Sequence, residues 1–339
     1  MAAIDFDYII DFFKSPRHIL ISTHANPDGD AIGSSLALYH YYKLKGHTVH
    51  IVVPNDYPSF YNIRPGIDHI LNFEKEADSC IAKLEKADWI FCLDYNSIYR
   101  VGEFSKYLAV SDKPRMLIDH HLQPEDHFDH MMSITNTSST SELVFEFIDS
   151  MSDKGLINKD IAACLYVGIV TDTGSFSYAC NYSKTYRIIA DLIEIGVDGE
   201  QIHRYVYDTF SENRMRLLGF CLSERMLVLN EYHTAYIYLL KEDLERYSFQ
   251  VGDTEGVVNY ALAVKDINVA VLFTEKEDYV RMSLRSKGNF SVNDFVRNHF
   301  EGGGHRNAAG GNSYLSIQET IKQFEKLLPQ YKKALSHIE

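Results

Sequence analysis

The segment Ser22-Thr23-His24-Ala25-Asn26-Pro27-Asp28-Gly29-Asp30-Ala31 sets one imidazole and two carboxylates around a Pro and a Gly that shape a tight turn. Three more segments end apolar runs with the same chemistry: Leu93-Asp94, Leu117-Ile118-Asp119-His120-His121 and Ile169-Val170-Thr171-Asp172-Thr173-Gly174. Taken singly, each has an ordinary reading, with Asp28 or Asp30 as a helix cap, Asp94 and Asp172 as loop-starting acids, and the histidines as surface residues. Four such clusters at the tips of apolar elements go beyond what a core needs. Gathered in space, Asp28, Asp30, Asp94 and Asp172 would repel one another, and two divalent cations would bring that set near neutrality. In a two-metal site the ions lie about 3.5 to 4 Å apart and serve an in-line displacement at phosphorus. The expected ligands are His24, Asp28, Asp30, Asp94, His120 and Asp172, with Asp94 as the bridge. Mixed imidazole and carboxylate donors favour Mn²⁺, with Mg²⁺, Co²⁺ or Fe²⁺ as alternatives, and no cysteine near these clusters points to structural zinc.

Positioning these groups falls to an α/β framework. His18–Thr23, Thr48–Val53, Trp89–Leu93 and Arg115–Ile118 read as strands, with amphipathic stretches such as Ala31–Leu44 and Glu74–Lys86 between them. That alternation predicts a mostly parallel, Rossmann-like sheet with helices on both faces, and such sheets bind ligands beyond the carboxyl ends of their strands. Residues 139 to about 225 read as mainly helical, Ser139 and Glu142 being spaced as a capping box and Gly196 placed as a helix stop. Strands are expected at Met226–Asn230, Thr234–Leu240, Asn268–Thr274 and Tyr279–Arg285, with helices near 254–264, 291–299 and 316–335. The expected organisation is a catalytic domain over 1–196, a helical connector over 197–228 and a smaller mixed α/β domain over 229–339.

These segments resemble the DHH phosphoesterase family: Asp119-His120-His121 matches its eponymous triplet and His24-Ala25-Asn26-Pro27-Asp28-Gly29-Asp30 its first motif. The resemblance implies that His24, Asp28 and Asp94 hold one metal, while Asp30, Asp94, His120 and Asp172 hold the other. It places Asp94, His120 and His121 in catalysis, with His121 facing the substrate as a phosphate ligand or proton donor, and gives Asp119 the task of orienting a histidine. Gly302-Gly303-Gly304-His305-Arg306-Asn307-Ala308-Ala309-Gly310-Gly311 is similar to the substrate-binding motif of the DHH-associated domain. There the glycines would form a loop whose amides approach a phosphate near a helix start, and His305 would add a donor. Arg285 resembles the family's strand-borne arginine, and Arg281, Ser286 and Lys287 lie close to it in sequence. Asn259 and Tyr260 could meet a base or ribose, and Phe176 and Tyr178 could stack on a base or pack in the core. The active site is expected in an interdomain cleft.

Within that family the layout resembles oligoribonucleases that also act as 3′-phosphoadenosine 5′-phosphate (pAp) phosphatases. The expected reaction is two-metal, in-line attack of hydroxide on oligoribonucleotides of about 2 to 5 nucleotides or on pAp. Cyclic di-AMP or linear dinucleotides are the alternative substrates; a longer single-strand exonuclease or a pyrophosphatase is disfavoured. A formal charge of −14 argues against long duplex DNA as a partner, and 23 Tyr and 19 Phe are not interleaved with a basic tract. Neither a secretory leader at Met1–Asp7 nor an apolar run of membrane length is evident. The expectation is a cytoplasmic protein off the membrane, with five reduced cysteines and a homodimer as the prior for assembly.

Overall fold

Every residue of Ile19–Thr23 and of Trp89–Leu93 is buried, the pattern of strands covered on both faces. In the computed structural model, which describes residues 4–58 and 66–336, these runs are the two central strands of a six-stranded sheet. Met1–Ala3, the start of the segment read for a leader, lie outside the described residues. Two units divide the chain, 1–209 and 210–339.

The first unit's strands are β1 (His18–Thr23), β2 (Thr48–Val53), β3 (Ile70–Asn72), β4 (Trp89–Leu93), β5 (Arg115–Asp119) and β6 (His130–Ser133). They run parallel in the order β3-β2-β1-β4-β5-β6. The chain therefore builds outward from β1 in one direction and from β4 in the other. The switch lies between β1 and β4, where an open α/β sheet leaves a crevice beyond its carboxyl ends. His24 follows β1 and Asp94 follows β4, so the topology brings the two segments together.

Helices α1 (Phe6–Phe12), α2 (Gly29–Leu44), α3 (Phe73–Lys86), α4 (Ser105–Val110), α5 (Thr140–Ser150), α6 (Lys159–Asp172), α7 (Ser183–Glu194) and α8 (Gly199–Tyr207) complete the unit. The approach of α2 to α6 decides the site, because α2 carries Asp30 in its first turn and α6 ends on Asp172. Glycines permit that approach. A Cβ on Gly33 would lie 2.5 Å from the Cys164 carbonyl oxygen, and one on Gly168 1.9 Å from Ser141 Oγ and 2.7 Å from Asp30 Oδ1. The expected capping box at α5 forms by half: Ser139 Oγ accepts the Glu142 N–H, but the Glu142 carboxylate takes the Ser138 N–H and hydroxyl instead of the Ser139 N–H.

The second unit begins with α9 (Glu212–Glu224) and carries β7 (Met226–Leu229), β8 (Thr234–Leu239), α10 (Lys241–Arg246), α11 (Val257–Leu262), β9 (Val269–Glu275), β10 (Val280–Ser286), α12 (Val292–His299), β11 (Glu301–Gly304), β12 (Ala308–Ser313) and α13 (Ile317–Ser336). Its mixed sheet has the order β11-β12-β10-β9-β8-β7, with β8 and β9 parallel and the other neighbours antiparallel. Residues 197–228, expected as a connector, hold α8 in the first unit and α9 in the second. The glycine-rich run departs from the expected loop at a helix start. Gly302, Gly303 and Gly304 lie in β11 and pair with Gly311, Gly310 and Ala309 of β12. Side chains are excluded there because the strands approach too closely: a Cβ on Gly302 would lie 2.0 Å from the Gly310 carbonyl oxygen.

All four cysteines at 80, 92, 164 and 221 are buried, Cys180 is half-buried, and none is in a disulfide. No helix among the described residues is long and apolar enough to cross a membrane.

Candidate metal centre and active site

The turn after β1 is tied down on two sides. Ala25 N–H donates to the Arg100 carbonyl at 2.7 Å, and Asn26, in the left-handed region at φ 55°, exchanges bonds with Asn55 beyond β2. Asn26 N–H donates to Asn55 Oδ1 at 2.6 Å, and Asn55 Nδ2 donates to Asn26 Oδ1 at 3.0 Å. Asp28 then caps α2, its Oδ1 accepting the N–H groups of Asp30 and Ala31. Asp30 is buried at the start of α5, where its two oxygens accept Thr140 N–H at 2.6 Å and Ser141 N–H at 2.8 Å, two of that helix's orphan donors. Asp94 is likewise left-handed, at φ 64°, with its N–H on the Ile118 carbonyl. That backbone aims its carboxylate over the tips of β1, β4 and β5.

Two donor sets result. His24, Asp28 and Asp94 offer ligand atoms that all lie within 4.8 Å of one another, and so do Asp30, His120 and Asp172. Asp94 faces both: Oδ2 stands 3.5 Å from His24 Nε2 and Oδ1 3.4 Å from His120 Nε2. His120 Nε2 is also 3.4 Å from Asp172 Oδ2 and 3.8 Å from Asp30 Oδ2, and His24 Nε2 is 3.9 Å from Asp28 Oδ1. These separations exceed ordinary hydrogen bonds. They suit donors placed around a common ion, since metal–ligand distances of about 2.1 Å put neighbouring ligands roughly 3 to 3.5 Å apart.

The electrostatics of the chain alone also fit cations. Burial, with the charges of Asp94 and Asp172, raises Asp30 well above the carboxylate range. Burial presses Asp94 the same way, but His120 and His24 outweigh it and hold Asp94 low. Burial opposes a charged His120, yet Asp172, Asp94 and Asp30 raise its pKa to about 10. Protons thus balance the clustered carboxylates, in the positions where divalent ions would do so more fully.

Asp119, the last residue of β5, is fully buried and lies with Oδ1 2.7 Å from His121 Nδ1. Burial lifts its pKa to about 6. An ionised Asp119 can only accept, and with it His121 carries its proton on Nδ1 and leaves Nε2 for other partners. Burial first, then the charge of Arg100, lowers the pKa of His121.

In the second unit, Arg281 and Arg285 alternate with the core residues Met282 and Leu284 along β10 and share the opposite face. Arg281 Nη1 donates to Asn312 Oδ1 at 3.1 Å, and a Cβ on Gly310 would lie 2.6 Å from its Nη2. Arg285 pairs in register with Ala308, and its Nε is buried without a hydrogen-bond partner. His305 sits in the turn between β11 and β12, with its N–H on the Ala308 carbonyl. Asn259 lies on α11, whose Val258 and Ala261 cluster with Ala270 and Leu272 of β9. Ala270 and Leu272 are the partners of Arg285 and Ser283, so α11 covers the face that carries the arginines. Three residues at the first unit's centre escaped the sequence reading. Asn55 follows a strand tip, as His24 and Asp94 do, and could have been found by that rule. Thr140, whose hydroxyl donates to Asp94 Oδ1 at 3.0 Å, and Arg100 carry no local signal.

Comparison with known proteins identifies the family. Residues 18–169 match the model of the DHH family, N-terminal domain, and residues 232–334 match the DHHA1 domain. The chain belongs to the DHH family. It is accordingly a hydrolase of the phosphoesterase class. The bifunctional oligoribonuclease and PAP phosphatase NrnA of Bacillus subtilis is 26% identical, over 87% of this chain and 89% of that protein. The crystal structure of an exopolyphosphatase-related protein from Bacteroides fragilis shares 40% identity with a TM-score of 0.92, covering 98% of this chain and 97% of that one. RecJ of Thermus thermophilus, solved with Mn²⁺, has a TM-score of 0.57 at 12% identity, covering 98% of this chain and 55% of RecJ, a likeness of fold.

Proposed function

We propose that the chain is a two-metal phosphoesterase that hydrolyses short oligoribonucleotides and pAp. The observation that carries the reading is Asp94, whose two oxygens face His24 on one side and His120 on the other. His24, Asp28 and Asp94 would hold one divalent ion, and Asp30, Asp94, His120 and Asp172 the other, Mn²⁺ being the favoured metal and Mg²⁺, Co²⁺ and Fe²⁺ the alternatives. Such ions polarise phosphoryl oxygens and lower the pKa of water to about 7, so that hydroxide is available at neutral pH.

The chain's own groups do the rest. Thr140 and the α5 amides fix Asp94 and Asp30, so the carboxylates need not reorganise as charge develops on the phosphoryl group. Asp119 holds the His121 ring with Nε2 directed away from it. In the free enzyme His121 stays neutral. The negative phosphate, once bound, favours its imidazolium, and from that form it gives a proton to the departing ribose oxygen. Arg285, Arg281, His305, Gly302, Gly303, Gly304 and Asn259 are the substrate-binding groups of this reading, which assigns them to phosphate, ribose and base.

The relationship to the Bacillus oligoribonuclease and PAP phosphatase supports this substrate class, and the name of the Bacteroides relative adds polyphosphate to the compounds worth testing. The experiment is Mn²⁺-dependent hydrolysis of pAp, a 5′-phosphorylated RNA dinucleotide, a 24-mer RNA, cyclic di-AMP, pyrophosphate and tripolyphosphate, with Asp94→Ala as control. Fast turnover of pAp and the dinucleotide, absent in the variant, is expected. Preference for the 24-mer, cyclic di-AMP, pyrophosphate or tripolyphosphate would refute the substrate assignment.

A further inference from the structure

Ser138, Ser139, Thr140, Ser141 and Glu142 are successive polar residues at the start of α5, and every one is fully buried. Burying polar groups is costly unless they are bonded, so such a run needs a reason beyond packing. One side of it faces the centre. Thr140 N–H and Ser141 N–H donate to the two oxygens of Asp30 at 2.6 and 2.8 Å, and the Thr140 hydroxyl donates to Asp94 Oδ1 at 3.0 Å. Ser139 Oγ closes the turn by accepting Glu142 N–H at 3.0 Å.

The other side of the run is held by one carboxylate oxygen. Glu142 Oε2 accepts Ser138 N–H at 3.3 Å, the Ser138 hydroxyl at 2.5 Å and the Thr185 hydroxyl at 2.6 Å. The first two bonds fold the turn on itself. The third reaches the first turn of α7, where Thr185 is also fully buried. Glu142 Oε1 has no hydrogen-bond partner among the described residues; Lys184 Nζ stands 3.5 Å from it and only 2.5 Å from Glu146 Oε1. Lys184 is also open to solvent, which weakens its hold, so the Thr185 bond is the firm tie between α5 and α7. It closes a circuit. Asp172 leads along the chain to α7, Thr185 leads to Glu142, and the turn 138–141 leads back to Asp30 and Asp94.

We infer that Glu142 and Thr185 are positioning residues of the metal centre: their bond anchors the turn 138–141 to α7 and fixes the direction from which that turn holds Asp30 and Asp94. Both act at one remove, through Thr140 and Ser141. Groups that orient metal ligands from behind are worth about 10- to 100-fold in metal affinity or activity. The inference rests on the two-metal reading above and deepens it, by naming what keeps two of the carboxylates in place.

Position 185 separates positioning from packing. Valine keeps the bulk of threonine and loses the hydroxyl, whereas serine keeps the hydroxyl and loses a methyl group. The test measures Mn²⁺ binding to the full chain by equilibrium dialysis, for wild type, Thr185→Val, Thr185→Ser, Glu142→Met and the double variant Glu142→Met with Thr185→Val. Thr185→Val is expected to raise at least one of the two Mn²⁺ dissociation constants about tenfold, and Thr185→Ser to bind as wild type does. Glu142→Met, which removes the acceptor at similar length, should raise the same constant at least as far, and the double variant should lose nothing more, since the two residues work as a unit. Where Glu142→Met does not fold, the pair at 185 decides alone. A Thr185→Val that binds both ions as wild type does, or a Thr185→Ser that loses as much affinity as Thr185→Val, overturns the inference and leaves the two-metal reading standing. A wild type that binds fewer than two ions refutes that reading and this inference with it.

Discussion

Asp94 and His120 approach to 3.4 Å between Oδ1 and Nε2, while the other Asp94 oxygen turns toward His24 at 3.5 Å. In the proposed reading this carboxylate, set between two imidazoles, is the bridge between two ions. The left-handed backbone at Asp94 and the Thr140 hydroxyl hold it in place. Replacing Asp94 by Asn keeps the shape and removes the charge. We expect kcat/KM to fall about a thousandfold or more, consistent with the several kcal/mol that divalent ions contribute to charge stabilisation, with far-ultraviolet circular dichroism unchanged.

In the proposed mechanism Asp119 acts through His121. Asp119→Asn would let the amide donate to Nδ1 and so shift the His121 proton to Nε2. The expected loss is about 10- to 100-fold in kcat, as for other groups that orient active-site imidazoles, with metal content retained. Steady-state kinetics and metal analysis of the purified variant check this; loss of bound metal in step with activity would contradict it.

The close approach of α2, α5 and α6 predicts a packing effect that reaches the chemistry. In Gly168→Ala the new methyl would meet Ser141 Oγ and Asp30 Oδ1. Overpacking of this kind costs about 1 to 3 kcal/mol. Thermal denaturation should show a lower Tm together with reduced activity, and adding Ser141→Gly should recover part of both.

Much of this was legible in the sequence, for a physical reason. The central strands β1 and β4 are buried on both faces, so their apolar runs end abruptly, and His24 and Asp94 stand out as the first polar groups beyond the ends. Asp28 and Asp30 are legible because Pro27 and Gly29 shape the turn between strand and helix. Asp172 was visible as the end of an apolar run, although the run is a helix. What was hidden depends on partners far away in the chain. Thr140 reaches Asp94 across 46 positions and Asn55 braces Asn26 across 29, and neither residue type is unusual where it stands. The glycine-rich run misled for a related reason. Local sequence cannot separate glycines that free a loop from glycines that let two strands come close, and Gly302 and Gly304 do the latter against Gly311 and Ala309.

Stability should also respond to acid through a residue away from the centre. Burial first, and then the charges of Lys83, His18 and Lys43, depress the pKa of His50 on β2 to about 4. An unfolded histidine titrates near 6.5, so between about pH 6.5 and 4 the unfolded chain binds more protons than the folded one. The contribution of a neutral His50 is whole above about pH 6.5 and declines as pH falls toward 4. Urea denaturation of wild type and His50→Gln at pH 7, 5.5 and 4.5 should show the variant gaining relative stability as the pH drops. A difference that does not change with pH would remove His50 from the account.

The proposed binuclear centre is tested most directly by counting and coupling the metals, without reference to substrate. Equilibrium dialysis of Mn²⁺ against wild type and Asp94→Asn, followed by electron paramagnetic resonance of the loaded proteins, reads both. Wild type should bind two ions per chain with the exchange-coupled signal of a bridged pair, and the variant should lose one ion or the coupling. A wild type that saturates at one ion, or a coupled pair that survives in Asp94→Asn, would contradict the assignment of Asp94 as the bridge.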